Sequence, residues 1–473
     1  MVCSFTRLLW SLLILFVLVA GCDSAGDDAA SEPPPPPPEE PPSTVSPAIR
    51  LWLEEHAIPF DTAEPNDDFS DLQPLKAIIG DARIVSLGEA THGTREFFQM
   101  KHRLLKFLVE EMGFTAFGIE ATMPEAFFLN DYVHTGEGDP ASLLSGLYFW
   151  TWNTQEVLDM ILWMRQYNQQ TAGPGVSFFG FDMQYPRVAM DHVETYIDTV
   201  QPDSLNYVRA LYACFRPYQN NQGSYDTSAA SLQGGCRLDV QAAYEFLLNN
   251  QADFEAKTSP EAFTLALQHA RIVVQGEDTY SNAPTAFRDE YMAENTRWLL
   301  DTWLGPDDKI VLWAHNFHVA VSPVSAQTQG TFLRSFYLED MVVMGFSFYE
   351  GTLNAVLRRN GEFQSLQKHI APPPPEDAFA YQFNSIREPR FFLNVRDLAP
   401  TDFQNRWLRG PRRFRTIGAV YNRADDLNYY YQANLASEFD VIIYFENTTA
   451  SVLLPFTAAA AKYSPPGPMD GGP

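Results

Sequence analysis

Short apolar runs and amphipathic stretches alternate along the middle of the chain. The apolar, β-branched run at 83–88 predicts a buried strand. Apolar residues at 97, 98, 104, 105, 108 and 112 have the spacing of one helical face, which predicts a helix over 94–112 that ends at Gly113. The alternation continues with a strand at 115–120, a helix at 124–134, a helix at 154–169 with Thr154 as its N-cap, and a strand at 176–182. Elements in this order predict parallel strands joined by right-handed crossovers.

The pattern extends toward both ends of the chain. Helices are predicted at 48–56 and near 72–79, a mixed loop at 142–152, and further strands at 309–314, 341–349, 416–421 and 440–446. The region 187–303 is mainly helical, which predicts an inserted helical lobe. The expected fold class is therefore α/β, a three-layer α/β/α arrangement with a mainly parallel sheet. This folded body covers 49–460, and 461–473 is expected to be a flexible tail.

The N-terminal residues have the features of an export signal. Arg7 precedes an apolar run over 8–20 that is too short for a comfortable membrane span. The run ends in Leu-Val-Ala-Gly-Cys at 18–22, which resembles the lipobox of bacterial lipoproteins. We therefore expect a signal peptide at 1–21 and lipidation of Cys22, with an uncleaved anchor as the alternative. The acidic segment 22–48 contains six consecutive prolines at 33–38, which predicts a semi-rigid spacer. The protein is then exported and lipid-anchored to the bacterial cell envelope, facing the periplasm or the exterior.

Composition and charge narrow the class of protein. Hydrophobic residues make up 45% and aromatic residues 14% of the chain, which argues for a packed body. A net charge of -27 without a Lys/Arg cluster argues against nucleic acid as a partner. Cys3 leaves with the signal peptide, so Cys214 and Cys236 remain after Cys22 is lipidated. In an oxidising compartment they are expected to form a disulfide, with two free thiols as the alternative.

Polar side chains recur where the predicted strands end. These residues are Glu89 and His92, Glu120, Asp182, and His315 with Asn316. In an open α/β sheet the carboxyl ends of neighbouring parallel strands meet at one crevice, where ligands bind. A polar residue that closes one strand is usually a cap, but several such ends, two of them with imidazoles, predict a site for acid/base chemistry.

Two chemistries fit these residues. In the first, His92 is a general base, Glu89 or Glu120 orients it, and His315 is the acid or the oxyanion partner. In the second, two histidines and two carboxylates bind a divalent metal that activates water, although the sequence has no HExxH motif. The G-x-S-x-G elbow, the P-loop and the CxxC motif are also missing from the sequence. The residues alone leave both chemistries open.

Several blocks of the sequence resemble the erythromycin esterase family. They are Gly-Glu-Ala-Thr-His-Gly-Thr-Arg-Glu-Phe-Phe at 88–98, Gly-Phe-Thr-Ala-Phe-Gly-Ile-Glu-Ala at 113–121, and the segments 288–295, 314–319 and 416–421. The likeness spans about residues 80 to 450. It implies hydrolases that open macrolide lactones without a metal, with His92 as the base and Glu89, Glu120 and His315 around it.

Five further residues are candidates for binding or support. Arg95, in the first turn of a helix, is a candidate for the network, with a surface role as the alternative. Arg288 lies on a helical stretch, where a salt bridge or a cap is the expected use. Asp182 and Asn316 close their strands. His318 would face away from His315 if the strand continued through both.

The sequence thus predicts a membrane-tethered ester or lactone hydrolase that uses water activated by His92. It is expected to act on a small-molecule substrate and to need no cofactor, with a divalent metal as the alternative. The rival interpretation is a lipoprotein that binds haem, a metal or a glycan in the same crevice. The aromatic segment at 148–152 would either line a large pocket or pack in the core.

Overall fold

A ten-stranded, mainly parallel sheet forms the centre of the protein. The computed structural model describes residues 45–218, 235–282, 285–321, 327–396, 398–399 and 401–456. The predicted signal peptide, the lipidated cysteine, most of the spacer and the C-terminal tail lie outside these residues. They therefore stay predictions.

The strands of this sheet and of a small second ladder are named in chain order. They are β1 (Ala57–Pro59), β2 (Ile84–Leu87), β3 (Ala116–Thr122), β4 (Ser177–Asp182), β5 (Ile310–Trp313), β6 (Met341–Arg359), β7 (Glu362–Ala371), β8 (Arg390–Asn394), β9 (Arg412–Arg415), β10 (Val420–Tyr421), β11 (Tyr430–Ala433) and β12 (Val441–Thr448). The order across the large sheet is β1-β8-β12-β6-β2-β5-β3-β4, and β7 and β10 pair with the outer part of β6. All pairs from β12 to β4 along this order are parallel. Strands β9 and β11 form the second ladder.

Helices connect the strands and cover the sheet. They are α1 (Pro47–His56), α2 (Pro74–Ile79), α3 (Arg95–Met112), α4 (Met123–Thr135), α5 (Pro140–Ser145), α6 (Gln155–Gln170), α7 (Arg187–Val200), α8 (Leu205–Tyr212), α9 (Arg237–Asn249), α10 (Gln251–Lys257), α11 (Pro260–Asn282), α12 (Thr285–Trp298), α13 (Asn316–Val319), α14 (Gln329–Tyr337), α15 (Phe379–Phe383) and α16 (Leu435–Glu438). Within the described ranges, none of these helices has the length and hydropathy needed to span a membrane.

The two faces of the sheet belong to two different apolar cores. Along β5, Ile310 and Leu312 pack in a core with helices α7 to α12, whereas Val311 and Trp313 pack in a core with α2, α3 and α6. Side chains alternate between the faces of a strand, so a strand buried on both faces reads as one continuous apolar run. The three-layer α/β/α fold with an inserted helical lobe is confirmed.

Most of the predicted elements are confirmed within one or two residues, and three differ from their predicted extent or type. The strand expected at 341–349 continues to Arg359 and turns back as β7, so an antiparallel hairpin was missed. The strand expected at 416–421 is reduced to Val420–Tyr421, because Ile417 instead makes a single bridge to Thr91. The loop expected at 142–152 begins instead with the last four residues of α5, which starts after Asp139 as its N-cap.

The helical lobe carries the expected disulfide. Cys214 follows α8 and Cys236 precedes α9, and a disulfide joins the two residues with their Cα atoms 5.6 Å apart. Helices α8 and α9 pack on α7 and α11 around buried apolar residues. The disulfide prediction is therefore confirmed.

Later parts of the chain fix the turn between β2 and α3. The Ile417 N–H donates to the Ala90 carbonyl at 2.7 Å. The Gly93 carbonyl accepts from the N–H groups of Asn354 and Ser451, each at 3.0 Å. Close backbone approach of this kind leaves no room for a side chain at Gly93, since a β-carbon there would lie 2.0 Å from the Asn354 carbonyl oxygen.

Replacing Gly93 with alanine is expected to destabilise the protein by about 3 kcal/mol, because the contact involves backbone atoms that cannot rotate away. Urea unfolding of the two proteins measures this change. The matched control is Gly410→Ala, where an added β-carbon meets no atom within 4 Å. Equal unfolding midpoints for Gly93→Ala and Gly410→Ala would contradict the proposed role of Gly93.

Candidate active site

The turn after β2 places a carboxylate against an imidazole. Glu89 Oε1 lies 2.6 Å from Nδ1 of His92, and both side chains are almost fully buried. A carboxylate at Nδ1 favours the tautomer in which Nδ1 carries the hydrogen and donates it, so that Nε2 carries the lone pair. This arrangement makes Nε2 the basic atom of His92.

Two further donors reach the second oxygen of Glu89. The Lys101 ammonium donates to Oε2 at 2.7 Å and the Trp313 indole N–H donates to the same oxygen at 2.9 Å. Lys101 comes from α3 and Trp313 from the last position of β5. Burial lowers the pKa of Lys101 to about 8, although Glu89 opposes this shift. The buried carboxylate therefore accepts hydrogen bonds from three side chains.

Glu120, at the end of β3, forms a second buried anionic centre. Its Oε2 accepts from the backbone N–H of His315 at 3.0 Å, and its Oε1 accepts from Arg288 at 2.8 Å. His318 Nε2 lies 3.3 Å from the same Oε1. Burial alone would raise the pKa of Glu120, but His318 and Arg288 outweigh it and hold the pKa well below its usual range. Glu120 is therefore ionised at neutral pH.

The hydrogen bonds of His315 define its tautomer. Nδ1 accepts from the Phe317 N–H at 3.2 Å, so the ring hydrogen of neutral His315 is on Nε2, which donates to the Ile417 carbonyl at 3.2 Å. Burial, with smaller effects of His92 and His318, holds the pKa of His315 well below its usual range. The His315 and His92 ring centroids are 5.0 Å apart, so a neutral N–H donor lies near the basic histidine.

Arg288 connects two strand ends. Its guanidinium donates to Asp182 at 2.7 Å as well as to Glu120. Asp182 also accepts from the Met183 N–H and from the Gln184 amide. The salt bridge expected for Arg288 is confirmed, and it ties α12 to the ends of β3 and β4.

His318 does not face away from His315, because the condition for that orientation, a strand that continues through both residues, is not met. Strand β5 ends at Trp313, and residues 316–319 form the helical turn α13 instead of continuing the strand. Residues three apart on a helical turn lie on the same side. His318 therefore faces Glu120, and Glu120 also contacts the backbone of His315. Asp289 Oδ1 accepts from His318 Nδ1 at 2.8 Å. Burial opposes protonation, but Asp289 and Glu120 outweigh it and raise the pKa of His318 to about 9.

Two candidate residues lie at the border of the network. The Arg95 side chain is 46% exposed and its Nε lies 3.6 Å from Glu156, which corresponds to the surface alternative. Asn316 exchanges two hydrogen bonds with the Phe346 backbone, at 2.7 and 2.9 Å, and thereby fixes the end of β5 to β6. Asn316 therefore has a structural use.

Sequence reasoning missed Lys101 and Asp289. A signal existed for Lys101, because it lies four residues after Phe97 and three before Leu104, on the apolar stripe of α3. A lysine on a buried helical face needs a buried anion. For Asp289, which follows Arg288, the sequence offered no comparable signal.

One residue of the aromatic segment at 148–152, Trp152, lies against the site. Trp152 donates its indole N–H to the Glu120 carbonyl at 2.9 Å, and its ring lies 5.6 Å from that of His92. Tyr148 has a φ of 70°, in the left-handed region that is uncommon for a side chain of this size. Trp152 therefore packs in the core and contacts the site.

Fold and site together define a class of protein. An α/β sheet carries a buried Glu–His pair, a neutral imidazole and an anchored second carboxylate at the carboxyl ends of its strands, as expected for a hydrolase that uses acid/base chemistry. Among the described residues, no group of three or more His, Cys, Asp and Glu side chains has the geometry of a metal site.

The comparisons with known proteins agree with this class. A family model described as erythromycin esterase matches residues 109–448. Erythromycin esterase type II of Escherichia coli is 26% identical over 332 residues, which cover 63% of this chain and 77% of that protein. The chain therefore belongs to the erythromycin esterase family and is a hydrolase of that type.

Solved structures support the same fold. A Bacillus cereus protein superposes with a TM-score of 0.76 at 28% identity, covering 86% of this chain and 98% of the other. A mutant of the erythromycin esterase EreC in its open conformation superposes with a TM-score of 0.64 at 18% identity, covering 84% and 98%. The second likeness shows the fold alone.

The raised pKa of His318 makes its contribution to stability dependent on pH. A folded-state pKa of about 9 against a usual value of 6.5 means that the contribution is complete below pH 6.5 and is lost as pH rises through 9. We expect His318→Gln to lower the free energy of unfolding on the order of 2 kcal/mol more at pH 6 than at pH 9.5. Urea unfolding of both proteins across this range measures the difference.

The matched control is His134→Gln, because His134 lies at the surface and its pKa is lowered by partial burial of the ring instead of raised. Comparison with wild type cancels the opposite pH effect of Lys101, which is common to all three proteins. A stability difference for His318→Gln that is constant with pH would contradict the protonated state of His318.

Proposed function

We propose that the protein hydrolyses a carboxylic ester or lactone, with His92 as the general base that activates water. The hydrogen bond between Glu89 and Nδ1 of His92 is the observation that carries this proposal. It sets the tautomer that a base needs, and it stabilises the imidazolium that forms when Nε2 takes a proton. A positioned base of this kind typically contributes about 10²–10⁴-fold to the rate.

The proposed reaction has two steps. Nε2 of His92 takes a proton from water, the water oxygen bonds to the substrate carbonyl carbon, and the C=O π electrons move to the carbonyl oxygen. The tetrahedral intermediate then re-forms the C=O bond and breaks the bond to the alkoxide. The alkoxide takes the proton from protonated His92, which leaves an acid, an alcohol and the neutral base.

The tautomer of His315 supports one of its two expected roles. A neutral ring with a lowered pKa is a poor proton donor to a leaving group, but its Nε2–H is a suitable hydrogen-bond donor to a developing oxyanion. In this proposal the substrate oxygen replaces the Ile417 carbonyl as the acceptor of that hydrogen. Glu120 holds the backbone of His315 in place during the exchange.

The hydrogen-bond network also supports a metal-independent reaction. A divalent metal would need ring nitrogens and carboxylate oxygens as ligands, whereas His315 uses both ring nitrogens on backbone groups and Glu89 accepts from three side chains. Retention of hydrolysis after dialysis against EDTA supports this choice, and loss of hydrolysis that added zinc or manganese restores favours the metal alternative.

Small-molecule esters and lactones are the proposed substrates. The E. coli relative is named for erythromycin, which makes macrolide lactones the first compounds to test. Gly418 provides space beside the base, since a β-carbon there would lie 4.0 Å from Cδ2 of His92. Trp152 supplies an apolar wall on another side of the same ring.

Export and a lipid anchor complete the proposal. They are supported by the apolar run at 8–20, by the segment at 18–22 and by the proline-rich spacer that follows. The disulfide between Cys214 and Cys236 is consistent with an oxidising compartment. The enzyme would then meet its substrate outside the cytoplasm, at the cell envelope.

Replacing His92 with alanine is expected to lower turnover by about 10²–10⁴-fold, because the base is lost. The measurement is a panel of macrolides and model esters assayed with wild type and variant, with thermal unfolding to verify the fold. His134→Ala is the matched control, since this exposed histidine lies outside the site. Turnover that survives in His92→Ala would remove the mechanism.

The anchor is tested by replacing Cys22 with alanine in the full chain. We expect the variant to leave the membrane fraction and to stop incorporating labelled palmitate, because the lipid bond forms at this thiol. Cys3→Ala is the control and should remain membrane-bound and labelled. A Cys22→Ala protein that stays in the membrane fraction would favour the uncleaved anchor.

A further inference from the structure

Lys101 is a buried cation that the proposed reaction does not yet use. It lies on the apolar face of α3, and its side chain is fully buried. The ammonium lies 4.2 Å from the Trp313 ring centroid and 5.5 Å from that of Phe346, and it donates to Glu89. Burying an ammonium is unfavourable unless an anion compensates it, and Glu89 is the anion that compensates Lys101.

The two oxygens of the Glu89 carboxylate have different partners. Oε1 is bonded to His92, whereas Oε2 is bonded to Lys101 and Trp313. With a charged lysine, the group of Glu89, His92 and Lys101 is neutral before His92 takes a proton. Without that charge, the group carries one uncompensated negative charge in a buried site, and its affinity for a proton increases.

We infer that Lys101 is a positioning residue whose charge compensates the Glu89 carboxylate and, through Glu89, limits the proton affinity of His92. An uncompensated Glu89 would hold the His92 proton so firmly that less of the base is available at neutral pH. The lysine thus adjusts a base that it does not touch. The effect on turnover rests on the proposed function, whereas the effect on His92 protonation does not.

Other titratable groups and one arginine face this pair and stay the same in the comparison. Glu120 on β3 acts on both Lys101 and His92, and His315 beside β5 acts on His92. His318 and Arg288 neutralise Glu120 from the other side. None of these groups shares an oxygen of Glu89, so a substitution at Lys101 leaves their contacts in place.

The direct experiment is an NMR titration of His92 with ¹³C-labelled histidine, in a chain that has only nine histidines. His92→Ala identifies the signal. We expect the His92 midpoint to rise by about one pH unit or more in Lys101→Met, whose side chain keeps a similar shape without the charge. Lys101→Arg keeps the charge, and Lys106→Met removes a buried lysine of the same helix that pairs with Asp67 instead. Both controls should leave the midpoint within about 0.3 units.

Wild type provides a second readout that does not depend on the folding of Lys101→Met. Since the pKa of Lys101 is lowered to about 8, the His92 signal of wild type should show a further shift centred near pH 8. That shift should be missing in Lys101→Arg, because an arginine does not titrate in this range. An unchanged midpoint in Lys101→Met, or the same shift near pH 8 in Lys101→Arg, would overturn the inference.

Turnover then separates this inference from the proposed function. If esters or lactones are cleaved, the acid limb of the pH profile of kcat/KM should move up with the NMR midpoint in Lys101→Met. A merely structural role would lower activity at every pH and leave the limb in place. If wild type cleaves none of the substrates, the proposed function fails while the NMR comparison still decides the role of Lys101.

Discussion

The burial of one negative charge is the constraint on which this site depends. Glu89 lies in the turn after β2 with essentially no exposed surface, where an uncompensated carboxylate would cost many kcal/mol. Its compensation comes from the imidazole of His92, from the ammonium of Lys101 and from the indole of Trp313. The three donors belong to the turn, to α3 and to β5. Each of these elements must therefore be in place before the charge can be buried.

Strand β5 couples this centre to the second carboxylate. Its last residue, Trp313, donates to Glu89, and two residues later the backbone of His315 donates to Glu120. A strand end of this kind fixes the spacing between the two anions and sets the His315 ring against that of His92. The Glu120 centre is further neutralised by Arg288 of α12, which comes from the helical lobe. The lobe therefore has a direct electrostatic connection to the site.

The strand ends could be predicted from the sequence because a buried strand forms a recognisable apolar run. The runs before Glu89, Glu120 and Asp182 are apolar on both faces, and the first polar residue after each run marks the carboxyl end of a parallel strand. Sequence reasoning could not predict which strands are neighbours. The place of β5 between β2 and β3 depends on packing across more than 190 residues of chain, and short periodic patterns contain no information on it.

The remaining errors have the same origin. The orientation of His318 stayed conditional because the sequence gives no sign that a helical turn follows the end of β5. The outer half of β6 was missed because its pairing with β7 and β10 is what makes it a strand. In the sequence, Lys101 interrupts the apolar stripe of α3. Only the folded structure shows that its anionic partner is Glu89. Local periodicity predicts helices and strands. The contacts of a charged residue depend instead on partners that are distant in the sequence.

The insertion of β5 between β2 and β3 affects the order in which the protein folds. Those two strands are complete by residue 122, but the strand that separates them follows only at 310. During synthesis or refolding, the centre of the sheet stays unfinished until the whole helical lobe has been made. Contacts so distant in sequence close slowly, because the entropy of a long loop must be overcome first. Catalytic competence should consequently be one of the last properties that the growing molecule acquires.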